Sequence, residues 1–348
     1  MPRYLIHVGP HKTGTTYLQF RFHAARQYLR ERGIAYPAVW SASEHLPSHQ
    51  KLMIGLRDGK LAELSAQFRE IVDSDVECVL ISSEGINLLE QAAIDTLKSL
   101  IGDAPGTVIF YCRRWSELLP SLWQETVKHG RDDTLPEFLA ANLNDPYDSR
   151  AINFAHAIER YINAFGRNNI RLVSYSNLSD SGTDLAEHFF ATFLPRQQAV
   201  LDQAPPLANA RPNQSFPLID TEVIRALNSL HMMRGGERSP ELRVWYTQRS
   251  RTLGTAELTA AIEANIQTLP FSDASPALAR LHDELSAAYG DLVVEPVRSR
   301  RLFEPRDAQI RFAQQRYLTD RSARDQLEKL YTAFLADTGR TPDLSPAP

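Results

Sequence analysis

The chain has 348 residues, of which 43% are hydrophobic and 23% charged, and a formal net charge of −4 at pH 7. This is the composition of a globular chain that can bury a full core. The slight acidic excess argues against broad nucleic-acid binding, which needs a surplus of Lys and Arg. No stretch approaches the roughly 20 apolar residues of a membrane-spanning helix, and no cleavable signal pattern follows Met1. We therefore expect a cytoplasmic protein that is not integral to a membrane.

Four short apolar runs in the first half of the chain predict buried β-strands, and the amphipathic segments between them are long enough to be crossover helices. The strands are predicted over Tyr4–Val8, Glu77–Ser82, Thr107–Cys112 and Ile170–Tyr175. This alternation predicts a parallel sheet with helices on both faces, a three-layer α/β fold. The first helix is expected to begin near Thr15 and to end at Gly33, because glycine is common at helix C-termini.

Strand patterns nearly vanish beyond about residue 200, and the remaining segments predict helices. These are expected over Leu218–Leu230, Ala256–Thr268, Ala277–Ala288 and Ala323–Asp337, with glycines and prolines between them. We interpret this half as a mainly helical C-terminal cap on the sheet. The two cysteines, Cys78 and Cys112, fall in the predicted buried strands, where small apolar thiols are common, and imply no disulfide framework.

A glycine-containing run, residues 9–16 with the sequence GPHKTGTT, lies between the first predicted strand and the first predicted helix. In that context backbone N–H groups can point at a phosphate, and the helix N-terminus adds partial positive charge. The spacing of the two glycines and Thr16 fits the triphosphatase pattern G-x-x-x-x-G-K-[ST], but Thr15 occupies the lysine position. The lysine lies inside the loop instead, and no Asp closes a later strand to help hold magnesium. A metal-bound triphosphate is therefore disfavoured.

Together with His7, this run resembles the 5′-phosphosulfate loop of the bacterial-type PAPS-dependent sulfotransferases, a family with a P-loop nucleoside-triphosphatase-like fold; PAPS is 3′-phosphoadenosine 5′-phosphosulfate. The resemblance implies PAPS as donor substrate without a metal, and a lysine that contacts the phosphosulfate near its bridging oxygen. The implied donor-binding residues are Gly9, Lys12, Thr13, Gly14, Thr15 and Thr16. An ordinary surface loop is the alternative, which the flanking strand and helix disfavour.

The family's second signature is an arginine that closes a strand and a serine eight positions later, which together hold the 3′-phosphate. Arg113 and Ser121 match that spacing, and a guanidinium offers a fork of donors to a phosphate. The family usually has Asn-Pro after the arginine, whereas this chain has Arg114-Trp115. Either arginine could therefore point inward, and a basic pair that merely caps the next helix is the alternative.

Tyr175 resembles the family's tyrosine that meets the adenine, although the acidic pair that follows it in the family is replaced here by Ser176-Asn177. A core tyrosine is an equal alternative. The family's C-terminal glycine-and-lysine loop has no clear match, and the arginines 298, 300 and 301 are either its substitute or a solvated basic turn.

Sulfuryl transfer to an alcohol or amine also needs a base for the acceptor's proton. Glu84 is our first candidate, because it follows the second predicted strand at the edge where parallel sheets bind ligands. Different branches of the family use a glutamate or a histidine for this task, and His11, beside Lys12, is the second candidate. A glutamate at this position could equally cap the next helix.

The sequence thus predicts a sulfotransferase that transfers a sulfuryl group to a hydroxyl or amine of a small-molecule, carbohydrate or lipid acceptor. Residues 1–200 are predicted to form the PAPS-binding α/β core, residues 201–340 a helical extension that completes the fold and the acceptor pocket, and residues 341–348 a disordered tail. Two alternatives stay open: a kinase that uses Mg-ATP, and a nucleotide-binding protein without turnover. The acceptor and the oligomeric state cannot be derived from the sequence.

Overall fold

The structure, a computed structural model, describes residues 1–43, 46–205, 216–249, 252–294 and 300–339. Its strands are β1 Arg3–Gly9, β2 Ile34–Ala35, β3 Cys78–Ser82, β4 Gly106–Cys112, β5 Ile170–Ser174, β6 Ile266–Ser272 and β7 Asp307–Ala313. Its α-helices are α1 Thr15–Ala24, α2 Arg26–Arg30, α3 Gln50–Arg57, α4 Leu61–Asp73, α5 Gln91–Ile101, α6 Trp115–Lys128, α7 Leu135–Leu143, α8 Ala155–Phe165, α9 Tyr175–Asp180, α10 Leu185–Phe193, α11 Val200–Gln203, α12 Leu218–Met233, α13 Glu241–Arg249, α14 Ala256–Ala264, α15 Pro276–Tyr289 and α16 Arg321–Thr338. Short 3₁₀ helices include Ala38–Trp40 and Glu84–Leu88.

The chain forms two compact units. The first contains Met1–Arg114, Pro146–Gln214 and Ser275–Pro305, and the second contains Trp115–Asp145, Ser215–Ala274 and Arg306–Pro348. Each unit takes segments from both sides of residue 200. The domain boundaries placed at residues 200 and 340 stay predictions, and the predicted tail lies outside the described residues.

A five-stranded parallel sheet forms the centre of the first unit, in the order β2-β3-β1-β4-β5. The four longer strands are the predicted ones, each within one residue or so of its expected ends, because continuous apolar runs are typical of strands buried on both faces. The two-residue edge strand β2 was not predicted. Flanking helices make this an α/β fold, as the sequence indicates.

One face of the sheet packs against the helices that follow β1 and β5. Successive side chains of a strand point to opposite faces, and Leu5 and Ile109 belong to one buried cluster with Phe22 of α1 and Phe189 of α10. The rings of Phe22 and Phe189 lie 4.8 Å apart between centroids. Burial of each such side chain contributes about 1.5 to 3 kcal/mol, so α1 and the loop before it are held firmly on the sheet.

The opposite face packs against helices from the other connections. The Tyr4 ring lies 6.1 Å from that of Phe68 on α4, and the Phe110 ring lies 5.9 Å from that of Phe154, which precedes α8. Helices on both faces make the first unit a three-layer structure.

The second unit is mainly helical, but it also contains an antiparallel pair of strands, β6 and β7. The helix predicted over Ala256–Thr268 is therefore wrong in its last part: α14 ends at Ala264 and β6 begins at Ile266. Ile266 pairs with Ala313, a partner 47 positions along the chain that a local pattern cannot reveal.

The first helix also differs from its prediction. It begins at Thr15, as expected, but α1 ends at Ala24 and α2 ends at Arg30, short of Gly33. Gly33 does adopt a left-handed conformation, with φ of 75°. The break at Ala25 has no sequence signal that we can identify.

Candidate functional site

The carboxyl ends of the central strands meet at one edge of the sheet. The register aligns His7 of β1 with Ser82 of β3, and Cys112 of β4 with Ser174 of β5. The loop after β1 therefore leaves the sheet beside the residues that follow β3 and β4, at the edge where open parallel sheets bind ligands.

The loop between β1 and α1, residues 9–16, has three positive φ angles: 95° at Gly9, 68° at Lys12 and 75° at Gly14. A non-glycine residue in the left-handed region is uncommon, so the conformation at Lys12 is costly and has to be held by its surroundings. The hydroxyl of Thr13 donates a hydrogen bond to the carbonyl of Pro10 at 2.7 Å, which closes the turn. Gly14 precedes α1 and has no side chain to cap the first amides of the helix. The N–H groups at the start of a helix can instead donate hydrogen bonds to a bound anion.

A Cβ at either loop glycine would crowd its neighbours. A Cβ on Gly14 would lie 2.4 Å from Leu185 Cδ2 and 3.0 Å from Tyr175 Cε2. A Cβ on Gly9 would lie 3.1 Å from the Cα of Glu84. The left-handed conformations and these contacts together explain why the pattern has glycine at both positions.

Glu84 begins the 3₁₀ helix after β3 and reaches the loop with its side chain. The hydroxyl of Thr15 donates a hydrogen bond to Oε2 of Glu84. Nδ1 of His11 lies 3.5 Å from Oε1 of the same carboxylate. The structure therefore brings both candidate bases, Glu84 and His11, together with Thr15. Both bases are partly exposed, with relative side-chain accessibilities of 27% and 34%.

The two adjacent arginines after β4 have different surroundings. Arg113 donates from Nη1 to the carbonyl of Lys12 at 2.5 Å, and its guanidinium lies 5.3 Å from the centroid of the Tyr175 ring. Arg114 is buried and forms a bidentate pair with Asp180, at 2.5 and 3.3 Å. Its Nε donates to the carbonyl of Glu304 at 3.1 Å. Of the two arginines, Arg113 is the one at the loop.

Tyr175 is half-buried and begins α9 rather than ending β5. Its ring lies 3.0 Å from the position that a Cβ on Gly14 would take and 5.3 Å from the Arg113 guanidinium, so it lies beside the loop. Ser121 lies on α6 in the second unit, and its predicted pairing with Arg113 on a 3′-phosphate stays a prediction. Arg298 lies outside the described residues, whereas Arg300 and Arg301 are exposed.

Two buried histidines support the strand end that carries Glu84. Nδ1 of His7 lies 2.9 Å from the hydroxyl of Ser82, and Nδ1 of His49 accepts a hydrogen bond from the Ser82 N–H at 3.2 Å. Burial lowers the pKa of His7 to about 4, with the negative charge of Glu84 acting in the opposite direction, and lowers the pKa of His49 to about 3. Both imidazoles are therefore neutral at pH 7 and position Ser82 as hydrogen-bonding groups.

Sequence reasoning missed one partner of the loop helix. The hydroxyl of Tyr17 on α1 donates to Asp184 at 2.6 Å, and Asp184 also accepts from the N–H groups of Ala186 and Glu187. Burial and this carboxylate raise the pKa of Tyr17. An Asp directly before an apolar helical segment is a common N-cap, so the capping role could have been predicted, although its contact with Tyr17 could not.

In the described part of the chain, no three His, Cys, Asp or Glu side chains are grouped as they would be around a metal ion. Over the same residues, no helix is long and apolar enough to span a membrane.

Among solved structures, the chain is similar to a sulfotransferase from Alicyclobacillus acidocaldarius, with 14% sequence identity and a TM-score of 0.36, over 68% of this chain and 97% of that one. These values are too low to carry a fold or an activity over to this chain. No model of a protein family matches the sequence, and no curated protein matches it.

Proposed function

We propose that the protein is a PAPS-dependent sulfotransferase and that the donor binds at the carboxyl edge of the parallel sheet. The observation that carries this proposal is the convergence of the Lys12 loop, Arg113 and Glu84 at that edge. Sulfuryl transfer from PAPS needs groups that bind its two phosphates, a cation at the leaving oxygen and a base. We assign the phosphates to the loop and Arg113, the cation to Lys12 and the base to Glu84.

The loop is assigned to the 5′-phosphosulfate. Its positive φ angles and the amides at the start of α1 favour an anion at this position. Lys12 is assigned to the bridging oxygen between phosphorus and sulfur, where negative charge develops as the S–O bond breaks. Its strained conformation, held through the carbonyl that Arg113 contacts, supports a role beyond that of a surface lysine.

The reaction is an in-line displacement. The acceptor oxygen or nitrogen forms a bond to sulfur while the bond from sulfur to the bridging oxygen breaks, and adenosine 3′,5′-bisphosphate leaves. Glu84 takes the acceptor's proton; His11, 3.5 Å from that carboxylate, is the alternative base. The hydrogen bond from Thr15 fixes one carboxylate oxygen of Glu84 and links the base to the donor loop.

Arg113 and Tyr175 are assigned to the other end of the donor. The guanidinium of Arg113 would pair with the 3′-phosphate and the Tyr175 ring would pack against the adenine, because both side chains lie at the loop.

A kinase is the main rival, and magnesium dependence distinguishes it. We expect adenosine 3′,5′-bisphosphate to bind in the presence of EDTA and to bind more tightly than Mg-ATP in isothermal titration calorimetry. Lys12→Ala should weaken bisphosphate binding by about 1.5 to 3 kcal/mol, as expected for a hydrogen bond to a charged group. The matched control is Lys329→Ala, which removes an exposed lysine of α16.

Tighter binding of Mg-ATP, with no effect of the Lys12 substitution, would contradict the donor assignment. Turnover is tested separately: release of adenosine 3′,5′-bisphosphate from PAPS is followed by chromatography with a panel of phenols, sugars and amines. Glu84→Gln should reduce that release 100-fold or more, since general bases typically contribute about 10² to 10⁴ in rate. Bisphosphate binding without turnover for any acceptor would favour the non-catalytic alternative.

A further inference from the structure

A cavity of about 340 Å³ lies in the first unit beside the edge strand β2. It is lined by residues of α2, of the segment after β2 and of α4, and none of them belongs to the loop of residues 9–16 or follows β3 or β4. Its volume is within the range of about 300 to 1,000 Å³ that holds small-molecule ligands. The proposed donor site does not account for it.

One wall of the cavity is apolar. Pro37, Ala38 and Val39 from the segment after β2 line it, and Ile71 of α4 is a further apolar residue of the lining. Ala38 and Val39 are exposed, so this wall is open to solvent. Such a surface suits the body of a small organic molecule.

Arg26 supplies the cavity with a cation that is poorly compensated. Its guanidinium lies 5.5 Å from the centroid of the Tyr36 ring, and within the described part of the chain it makes one hydrogen bond, a long one of 3.4 Å, to the hydroxyl of Ser41. The same residues offer no acceptor to its buried Nε–H. Among the described residues, no carboxylate lies within ion-pair distance of it. Burial accordingly lowers the pKa of Arg26.

Two other long polar side chains of the lining, those of Arg30 and Gln67, are engaged, and the carboxylate of Glu70 also lines the cavity. Arg30 donates to the carbonyl and to the hydroxyl of Ser74, at 2.7 and 3.1 Å. Gln67 accepts the indole N–H of Trp40 at 2.9 Å. Arg30 and Gln67 shape the walls, whereas Arg26 is half-buried and makes one long hydrogen bond among the described residues. Partial removal of a charge from water is unfavourable, and a partner of opposite sign offsets that cost.

We propose that this cavity binds a small organic anion, with a carboxylate on Arg26 and an apolar body against Pro37, Ala38 and Val39. A guanidinium and a carboxylate form strong, bidentate hydrogen bonds, and Arg26 lines the cavity beside its apolar wall. The proposal is independent of the proposed sulfotransferase activity.

The test uses the full chain without a nucleotide and compares benzoate with benzamide, its uncharged counterpart of nearly the same shape, by calorimetry. We expect benzoate to bind with a dissociation constant on the order of 1 mM, and benzamide to bind at least about 10-fold more weakly. Arg26→Gln should remove the preference for benzoate. Arg69→Gln, an exposed arginine of α4 outside the lining, is the matched control and should retain it.

Two further variants keep the proposal testable if Arg26→Gln fails to fold. Ala38→Phe should block benzoate binding, since Ala38 is exposed and lines the cavity. Glu70→Gln removes a lining carboxylate and should leave benzoate binding unchanged or tighter. Absence of benzoate binding to the wild type, equal binding of benzamide, or weaker binding in Glu70→Gln would overturn the proposal.

Discussion

The carboxyl edge of the sheet in the first unit and the interior of the second unit use polar side chains in opposite ways. In the second unit, Glu222 and Arg225 are buried, pair at 2.7 Å, and are both hydrogen-bonded to the hydroxyl of Tyr317. At the sheet edge, Glu84 and Lys12 are only partly buried, and Lys12 lies on a loop with a strained, left-handed backbone. Buried, mutually paired charges indicate a structural role, whereas polar groups held at an accessible edge indicate a ligand site.

The largest effect is expected from breaking the buried pair of the second unit. Glu222→Ala should lower the free energy of unfolding by about 3 to 5 kcal/mol, because it leaves the charge of Arg225 buried without its partner. Urea denaturation followed by tryptophan fluorescence suits the test, since three of the four tryptophans, Trp115, Trp123 and Trp245, belong to the second unit.

The control is the double substitution of Glu222 and Arg225 by Met, which removes both charges and should restore much of the lost stability. A double variant as unstable as Glu222→Ala would mean that the instability does not come from an unpaired buried charge. The contrast between a structural ion pair in the second unit and a ligand site at the sheet edge would then be weaker.

The buried His7 behind the sheet edge should make the free energy of unfolding depend on pH, by about 3 kcal/mol. Its pKa is lowered from 6.5 to about 4 in the folded protein. The unfolded chain therefore binds the proton first, and stability falls as the pH decreases from 6.5 to 4, with no further loss from this group below pH 4. The amide of His7→Asn can still form a hydrogen bond with Ser82 but does not titrate. Between pH 7 and pH 4 the free energy of unfolding of this variant should therefore fall by about 3 kcal/mol less than that of the wild type.

Circular dichroism during urea titration at several pH values provides the measurement. Identical pH dependence in the wild type and in His7→Asn would show that the buried imidazole is not the group that makes the sheet edge sensitive to acid.

The loop glycines give a smaller effect on stability. Gly14→Ala places a Cβ at a φ of 75° and against Leu185 and Tyr175, which should destabilise the protein by about 1 to 3 kcal/mol. Gly59→Ala is the matched control, because Gly59 has a φ of 69° with nothing near its Cβ position. Thermal unfolding compares the stability of the two variants. A larger loss of stability in Gly14→Ala would be due to its contacts with Leu185 and Tyr175, whereas equal losses would mean that backbone strain alone causes the effect.

The sequence predicts the first unit well and the second unit only in part. Continuous apolar runs and the glycine loop mark β1, β3, β4 and β5 and the start of α1, since these signals are local. The pairing of Ile266 with Ala313 depends on a distant partner, so the local helical pattern extended too far. The candidate site is also predicted only in part. Spacing made Arg113 a candidate for the donor site and left Arg114 open, and the structure separates the two by the pair that Arg114 forms with Asp180.

The adjacent arginines also provide the most direct test of the proposed donor site. The test compares Arg113→Ala with Arg114→Ala. For each variant, the free energy of unfolding is measured, and calorimetry gives the affinities for adenosine 3′,5′-bisphosphate and for 5′-AMP. Arg113→Ala should weaken binding of the bisphosphate by about 1.5 to 3 kcal/mol. Because the loop also loses the hydrogen bond to the Lys12 carbonyl, binding of 5′-AMP and the free energy of unfolding should each fall by a smaller amount, about 1 kcal/mol or less. Arg114→Ala should cost about 2 to 3 kcal/mol of stability without separating the two ligands. If Arg113→Ala weakened both nucleotides equally, or neither, the assignment of Arg113 to a 3′-phosphate would be wrong.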